Sequence, residues 1–343
     1  MALRTPLCDA LGIDVPILSA GMGSVAGPDL VAAVSEAGGF GVLGVSGASP
    51  EGVRKRIGNT RALTGRRFGV NVIIDEDGWA TSEEDRELVR AEIVTAIDEQ
   101  VAAVVLFWGD PAPFVHLAHE KGVLLLVQVG SLAEAEGAAA AGVDAIIVQG
   151  VEAGGHVRGT SSIWELLPAV VAAVSPLPVL ASGGIGDGAG IARAIGLGAQ
   201  GVSLGTRFVA TEESGAHPEY KRRIVESVAK DTVYTEDLYD ISWPGAPTRT
   251  LRNRTFDEWD AAGRPSPGHR PGEGTSVGVL RMPSGESFDL PRYAGAGSPL
   301  VGFVGDLDYP AMWAGESVEV VNDVRPAGEI VRRLAEDAAA ALG

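Results

Sequence analysis

The stretch of sequence that decides the fold is residues 178–206, PVLASGGIGDGAGIARAIGLGAQGVSLGT. It begins with a short apolar run, residues 178–182, and ends with a second one, residues 201–204. Between them, residues 187–197 show the apolar spacing of a helix. Two buried strands joined by a helix run parallel, with a right-handed crossover between them. The stretch therefore predicts one strand–helix–strand unit of an α/β fold.

The same alternation runs through the first 210 residues. The apolar runs are rich in Val, Ile and Leu and mostly lack polar alternation, which is typical of strands buried on both faces. The runs are residues 16–22, 40–44, 68–73, 101–108, 124–129, 145–149, 178–182 and 201–204. Eight such units predict closure into a (β/α)8 TIM barrel. An open doubly wound sheet is the main alternative, but residues 20–24, AGMGS, do not match the GxGxxG fingerprint of that fold.

The alternation of predicted strands and helices ends after residue 210. Residues 231–310 are rich in Pro, Gly, Arg and aromatic side chains and show little periodicity. A structureless stretch of that length is uncommon within a compact domain and is usually functional. We therefore expect a barrel over residues 1–230, a cap or insertion over 231–310, and a C-terminal segment, 311–343, whose helix packs back on the barrel. A flexible surface excursion remains the alternative for 231–310.

Composition excludes several classes of function. Lys and Arg number 27 against 45 Asp and Glu, a net charge of −18, which repels phosphate backbones and argues against nucleic-acid binding. The single cysteine, Cys8, excludes an internal disulfide framework and a cysteine-based zinc site, and no His, Asp and Glu spacing indicates another metal site. No apolar run is long enough to span a membrane and no secretory signal is recognisable, so we expect a cytoplasmic protein. Homo-oligomerisation is left open.

Two glycine-containing loops indicate an anion site. Gly183-Gly184-Ile185 follows the seventh run and opens the next helix, and Gly205-Thr206 follows the eighth run, which contains Ser203. Glycines let backbone N–H groups approach a phosphate closely, and TIM barrels often hold a phosphate at this pair of loops. The loops therefore predict a phosphate site. The alternative is that the glycines only make tight turns.

His156 is the only histidine at a predicted strand end. Gly154 and Gly155 precede it and allow the backbone to pass close to a flat ligand. An imidazole can hydrogen-bond an anion or move a proton near neutral pH. We therefore take His156 as the candidate catalytic residue, with a structural loop histidine as the alternative. Glu152 on the same loop is a second candidate base, although a solvated carboxylate is its simpler interpretation.

Five motifs at predicted strand ends carry a resemblance to a known family: PILSAGMG at 16–23, GVNVI at 69–73, QGVEAGGH at 149–156, SGGI at 182–185 and SLGT at 203–206. Together they resemble the nitronate monooxygenases, formerly called 2-nitropropane dioxygenases. The resemblance covers about residues 5–230, and the tail at 313–331, WAGESVEVVNDVRPAGEIV, also looks like that family. The family is a flavin mononucleotide (FMN) barrel related to the flavin-dependent enoyl-acyl-carrier-protein reductases.

The resemblance implies FMN as cofactor and the oxidation by O2 of alkyl nitronates, or of nitroalkanes, to a carbonyl compound and nitrite. His156 corresponds to the active-site histidine of that family. Arg158, two residues on, either helps to bind an anion or is an exposed arginine. The residues implied to contact the flavin are Gly21, Met22 and Gly23 beside the ring, Asn71 and Gln149 as hydrogen-bonding groups, Gly154 near the ribityl chain or ring, and Ser203, Gly184, Gly205 and Thr206 around the phosphate.

Two other functions are compatible with the same barrel sequence. The motifs identify the flavin site better than the substrate, so an NAD(P)H-dependent enoyl or quinone reductase is the first alternative. The second is a flavin-binding or phosphate-binding barrel without redox turnover. The sequence alone does not separate these functions.

Overall fold

A barrel of eight parallel strands forms the centre of the molecule. The computed structural model describes residues 3–74, 78, 80–281 and 286–343. The ranges expected above, 1–230 and 231–310, also include residues that lie outside the described ones, namely 1–2, 75–77, 79 and 282–285. The first nine strands are β1 (Ile17–Ser19), β2 (Val42–Gly44), β3 (Gly69–Ile73), β4 (Ala103–Phe107), β5 (Leu124–Val129), β6 (Ala145–Gln149), β7 (Gly155–His156), β8 (Val179–Ser182) and β9 (Gly201–Leu204).

The barrel strands follow the order β1-β9-β8-β6-β5-β4-β3-β2. A parallel bridge between Leu18 and Phe40, which lies just before β2, closes the sheet. Each barrel strand falls within one of the eight apolar runs of the sequence. The predicted (β/α)8 barrel is therefore confirmed. The short β7 is the one early strand outside the barrel, and it pairs with a later strand instead.

Helices surround the barrel because their apolar faces bury against the outer face of the sheet. Several begin at side-chain caps, such as Ser82 before α4 and Ser131 before α6. The helices are α1 (Pro6–Leu11), α2 (Pro28–Glu36), α3 (Pro50–Leu63), α4 (Glu83–Asp98), α5 (Ala112–Glu120), α6 (Leu132–Ala141), α7 (Ile163–Val174), α8 (Gly188–Gly196), α9 (Thr206–Val209), α10 (Pro218–Glu226), α11 (Arg254–Ala261) and α12 (Ala327–Leu342). The last of these, α12, packs against α8 and α2.

The barrel interior is filled at one end. Inward-facing side chains such as Leu18, Phe40 and Leu180 form one buried cluster with Leu7 and Leu11 of α1. This packing closes the N-terminal ends of the strands. It leaves the C-terminal ends as the face where a cavity can form.

Residues 231–310 contain regular structure that the sequence analysis did not anticipate. Besides α11, the described residues there form β10 (Thr232–Thr235), β11 (Thr248–Leu251), β12 (Ser276–Arg281), β13 (Ser287–Pro291) and β14 (Phe303–Gly305). β11 lies between β10 and β7 in an antiparallel sheet, and β12 lies between β13 and β14 in another. The strands gave little signal because β12 is half-buried over most of its length, β13 is mostly exposed, and neither shows clear alternation.

Within the described part of the chain, no helix has both the length and the apolar character needed to cross a membrane.

Candidate active site

A cavity of about 370 Å³ lies at the C-terminal ends of the barrel strands, and we call it the central cavity. Val42, Val105 and Ile147 from the barrel interior are part of its lining. It brings together all the site residues proposed from the sequence: Gly21, Met22, Gly23, Asn71, Gln149, Gly154, His156, Gly184, Ser203, Gly205 and Thr206. Motifs separated by up to 185 residues in the sequence thus contribute to one site.

Two other candidates lie elsewhere. The carboxylate of Glu152 accepts hydrogen bonds from Ser162 Oγ at 2.5 Å and from the backbone N–H of Ile163 at 3.0 Å, so it caps α7 instead of lining the central cavity. Arg158 pairs with Glu134 at 2.7 Å and its guanidinium lies 5.0 Å from the ring centre of Trp108. Neither residue lines the central cavity, so the structure does not favour Glu152 as a base there.

The described lining of the central cavity contains no charged side chain. Its polar groups are backbone amides, hydroxyls, three side-chain amides, one imidazole and two indoles. An anionic group bound there must be held by oriented N–H and O–H donors, as in backbone anion sites.

The turn after β8 departs from the sequence expectation. Gly183 and Gly184 have φ of +101° and +68°, in the left-handed region, so they cannot belong to the following helix. That helix, α8, instead begins at Gly188, and the Asp187 carboxylate accepts a hydrogen bond from Gly190 N–H at its start. The statement that Gly183-Gly184-Ile185 opens the helix was therefore wrong. The turn still places Gly183 and Gly184 in the lining of the central cavity.

The loops after β8 and β9 are completed by the C-terminal segment. Thr206 Oγ1 accepts a hydrogen bond from Gly315 N–H at 3.0 Å, and Gly315 and Ser317 both line the central cavity. The sequence analysis noted the tail motif but did not assign site residues within it. No local pattern could have found them, because the contact joins residues 109 positions apart.

Gly21 is required by a close approach between two loops. A Cβ atom at this position would lie 2.3 Å from Asn71 Cβ and 2.6 Å from Asn71 Oδ1. Asn71 itself is held by a hydrogen bond from its Nδ2 to Val105 O at 3.0 Å. Only glycine therefore lets the loop after β1 pass beside this fixed amide.

Gln149 holds the loop that carries His156. Its Nε2 donates to His156 O at 3.0 Å, and its Oε1 accepts from the Arg158 backbone N–H at 2.7 Å. On the other side of the loop, β7 pairs with β11, with His156 opposite Thr248. The backbone of His156 is thus fixed from both sides.

The imidazole of His156 stacks on Trp243, with ring centres 3.8 Å apart and planes 28° apart, and lies 5.3 Å from the ring centre of Trp313. Its Nε2 is buried and has no hydrogen-bond partner among the described residues. Loss of water around the ring lowers its pKa to about 3, so the imidazole is neutral near pH 7. A buried polar atom left unpaired in this way is well suited to a ligand.

Comparison with known proteins identifies the family. A family model described as nitronate monooxygenase matches residues 4–337. The chain is also 32% identical to the nitronate monooxygenase of Paraburkholderia phytofirmans, over 96% of this chain and 94% of that protein. The chain belongs to the nitronate monooxygenase family. The resemblance inferred from the five motifs is confirmed, and with it the assignment as a flavin-dependent oxidoreductase.

Solved structures agree with this family in fold. FabK from Thermotoga maritima has a TM-score of 0.78 and 32% identity, covering 98% of this chain and 97% of its own. A nitroalkane oxidase from Streptomyces ansochromogenes has a TM-score of 0.76 and 30% identity, covering 98% of both chains. The barrel and the segments after it are thus similar to these structures along nearly their whole length.

The central cavity fits the flavin that nitronate monooxygenases use. A Cβ atom added at Gly23 would meet no atom within 4 Å, and one at Gly205 would come no closer than 3.8 Å, to Met22 Sδ. These positions are therefore open to the cavity, where a group can approach the backbone closely. Together with the uncharged donor set and the unpaired His156 Nε2, this space suits a flat, uncharged ring system joined to a phosphate.

Proposed function

We propose that this chain binds FMN in the central cavity and oxidises alkyl nitronates with O2 to a carbonyl compound and nitrite. One observation carries the proposal: the unpaired Nε2 of His156 borders the same uncharged cavity as the glycine-containing loops after β8 and β9. Family membership and the similarity to a nitroalkane oxidase support the choice of nitro compounds as substrates.

The residues that would hold the cofactor follow from their positions. Backbone groups of Gly184 and Gly205 and the hydroxyls of Ser203 and Thr206 would bind the phosphate. Because Thr206 Oγ1 already accepts from Gly315, its hydroxyl hydrogen is directed elsewhere and can be donated to a phosphate oxygen. Gly21, Met22, Gly23 and Gly154 would border the ring system, with Asn71 and Gln149 as hydrogen-bonding groups. When bound, FMN supplies the electron transfer.

His156 would bind the nitro group of the substrate. A neutral imidazole with its proton on Nε2 donates one hydrogen bond to a nitronate oxygen. Taking the α-proton from a neutral nitroalkane would instead create an imidazolium ion where burial disfavours it. We therefore propose preformed nitronates as the preferred substrates and hydrogen bonding as the main role of His156.

We also propose that residues 231–310 act as a cap that excludes water, over a barrel of residues 1–230, with 311–343 as a C-terminal segment. Trp243 and Leu280 of the cap both line the central cavity. Excluding water strengthens the hydrogen bonds that hold an anionic substrate.

The test begins with the purified protein. Mass spectrometry of the released cofactor should show FMN, and flavin adenine dinucleotide would contradict the proposal. The protein should then consume O2 and release nitrite with alkyl nitronates. Fast anaerobic reduction by NADH or NADPH, without nitronate turnover, would overturn the assignment.

An NAD(P)H-dependent enoyl or quinone reductase is the second candidate, because FabK, an enoyl-acyl-carrier-protein reductase, matches as well as the nitroalkane oxidase does. The same anaerobic mixing experiment separates the two. A barrel without redox turnover would show neither nitrite release nor reduction by nicotinamide.

A further inference from the structure

A second cavity of about 760 Å³ lies beside the central cavity, and we call it the side cleft. Its lining combines apolar side chains such as Val89, Pro113 and Phe114 with charged ones, namely Glu83, Arg86, Glu87, Arg90 and Asp110. It also contains Arg158, which the sequence analysis had singled out and which the central cavity does not use. The described linings of the two cavities share no residue.

The wall between the two cavities is thin. At four places along the chain, one residue lines the central cavity and a residue one or two positions later lines the side cleft. These pairs are Ile73 and Ile74, Phe107 and Trp108, His156 and Arg158, and Trp243 and Pro244. Because the two described linings share no residue, the wall is at least two side chains thick, with Trp243 on the central-cavity side and Trp108 on the side-cleft side.

Trp243 belongs to the side of the wall that faces the central cavity. Its side chain is buried in one cluster with Phe107, Trp108 and Ala246. The indole meets Trp108 edge-on, with ring centres 5.6 Å apart, and stacks on His156 on the central-cavity side. Replacing this large side chain would enlarge the central cavity next to His156, up to the Phe107 and Trp108 side chains that lie behind it.

We infer that Trp243 is a specificity-determining residue: it ends the substrate compartment next to His156 and restricts it to short-chain substrates. This inference rests on the proposed function, since it takes the substrate head group to lie at His156. An alkyl tail that extends beyond the head group meets the indole. Without that indole, the tail would extend into the space the ring leaves, against Phe107 and Trp108.

The test uses straight-chain carboxylates from acetate to decanoate. A carboxylate is a planar anion like a nitronate but is not oxidised, so binding is measured by calorimetry on the flavin-loaded protein without turnover. In the wild type, each added methylene should tighten binding about fourfold, or ~0.8 kcal/mol, until the tail reaches the wall. Further methylenes should then add nothing. In Trp243→Ala, the tightening should continue to longer chains.

Trp243→Ala also removes the stacking partner of His156, and the design separates the two effects. A disturbed imidazole weakens the binding of every carboxylate by the same factor, whereas a longer compartment changes the chain length at which tightening stops. Trp164→Ala is the matched control, because Trp164 packs under Arg193 on the outer helices and lines neither cavity. The carboxylate affinities of Trp164→Ala should match those of the wild type at every chain length.

Two results would overturn the inference: a wild-type series that keeps tightening to decanoate, or a Trp243→Ala series that stops at the same chain length as the wild type. If the alanine variant does not fold, Trp243→Leu should shift the stopping point by a smaller amount. Because binding is measured without turnover, a failure to oxidise nitronates would refute the proposed function and leave this test intact.

Discussion

At the scale of single residues, the state of His156 follows from what surrounds it. Two indoles, from Trp243 and Trp313, pack around the ring, and the only cause of its lowered pKa is loss of water. The site thus holds an imidazole that stays neutral over the whole physiological pH range. Such a group favours hydrogen bonding to a substrate that is already an anion.

The first prediction concerns stability in acid. The folded state keeps His156 neutral down to a pKa of about 3, whereas in the unfolded chain it takes up a proton near pH 6.5. Unfolding therefore binds a proton in this window, and stability falls as pH decreases from 6.5 towards 3, by at most about 1.4 kcal/mol per pH unit. Urea unfolding of His156→Gln should lose less stability than the wild type over this range. The exposed His116→Gln should behave as the wild type does, and parallel curves for all three proteins would contradict the prediction.

The second prediction concerns activity. His156→Asn should lower kcat/KM for a nitronate about 10–150-fold, because a hydrogen bond to a charged group contributes roughly 1.5–3 kcal/mol. A neutral nitroalkane should lose less, about 2–13-fold, if His156 only binds, because a hydrogen bond between neutral groups contributes roughly 0.5–1.5 kcal/mol. A loss of a further 10²–10⁴-fold on the nitroalkane alone would instead show that His156 removes the proton. Flavin content, read by absorbance, should stay unchanged in either case.

At the scale of elements, the β8–α8 turn depends on one backbone conformation. Gly184→Ala should weaken flavin retention, because an alanine at φ +68° is strained by about 1–2 kcal/mol and its Cβ would lie 3.0 Å from Glu152 Cβ. Gly196→Ala, at the end of the helix that follows, meets no atom within 4 Å and is the matched control. The amount of flavin that remains bound after dialysis should distinguish the two variants. Equal retention would show that this turn does not hold the phosphate.

The C-terminal segment is anchored to α9 by a buried arginine. Arg207 pairs with the Asp323 carboxylate at 2.9 Å and donates to the carbonyls of Ala210 and Asp323. Arg207→Met should reduce the free energy of unfolding by about 3 kcal/mol, since hydrogen bonds from a charged group are lost inside the protein. Arg325→Met removes an exposed partner of the same carboxylate and should cost less than about 1 kcal/mol. Denaturant unfolding measures both, and similar losses would contradict this account.

The elements also show what the sequence could predict. Strands such as β4 and β6 are buried along their whole length, so their apolar runs indicated them directly. We could propose Gly184, Gly205 and His156 as site residues because they lie just after predicted strands. By contrast, β7 is two residues long and exists only through pairing with β11, about 90 residues later. The packing of Trp243 on His156 is equally distant in sequence and leaves no local pattern.

At the scale of the whole molecule, a net charge of −18 surrounds a cavity whose described lining is uncharged. An anionic nitronate is therefore repelled on approach. Raising the ionic strength from about 10 mM to 150 mM shortens the screening length from about 30 to 8 Å, so kcat/KM for a nitronate should rise. A neutral nitroalkane of the same size should show no such rise. A fall for the nitronate would mean that local positive potential at the cavity mouth dominates.

The hydrogen bond between Thr206 and Gly315 also has a consequence for biosynthesis. All eight barrel strands leave the ribosome before Gly315 does, and the 109 residues between the two partners take about 5–22 s to translate at 5–20 residues per second. During that interval the nascent barrel lacks Gly315 and Ser317 at its mouth. If the cofactor binds at the proposed site, its tight capture must therefore wait until nearly all of the polypeptide has been made.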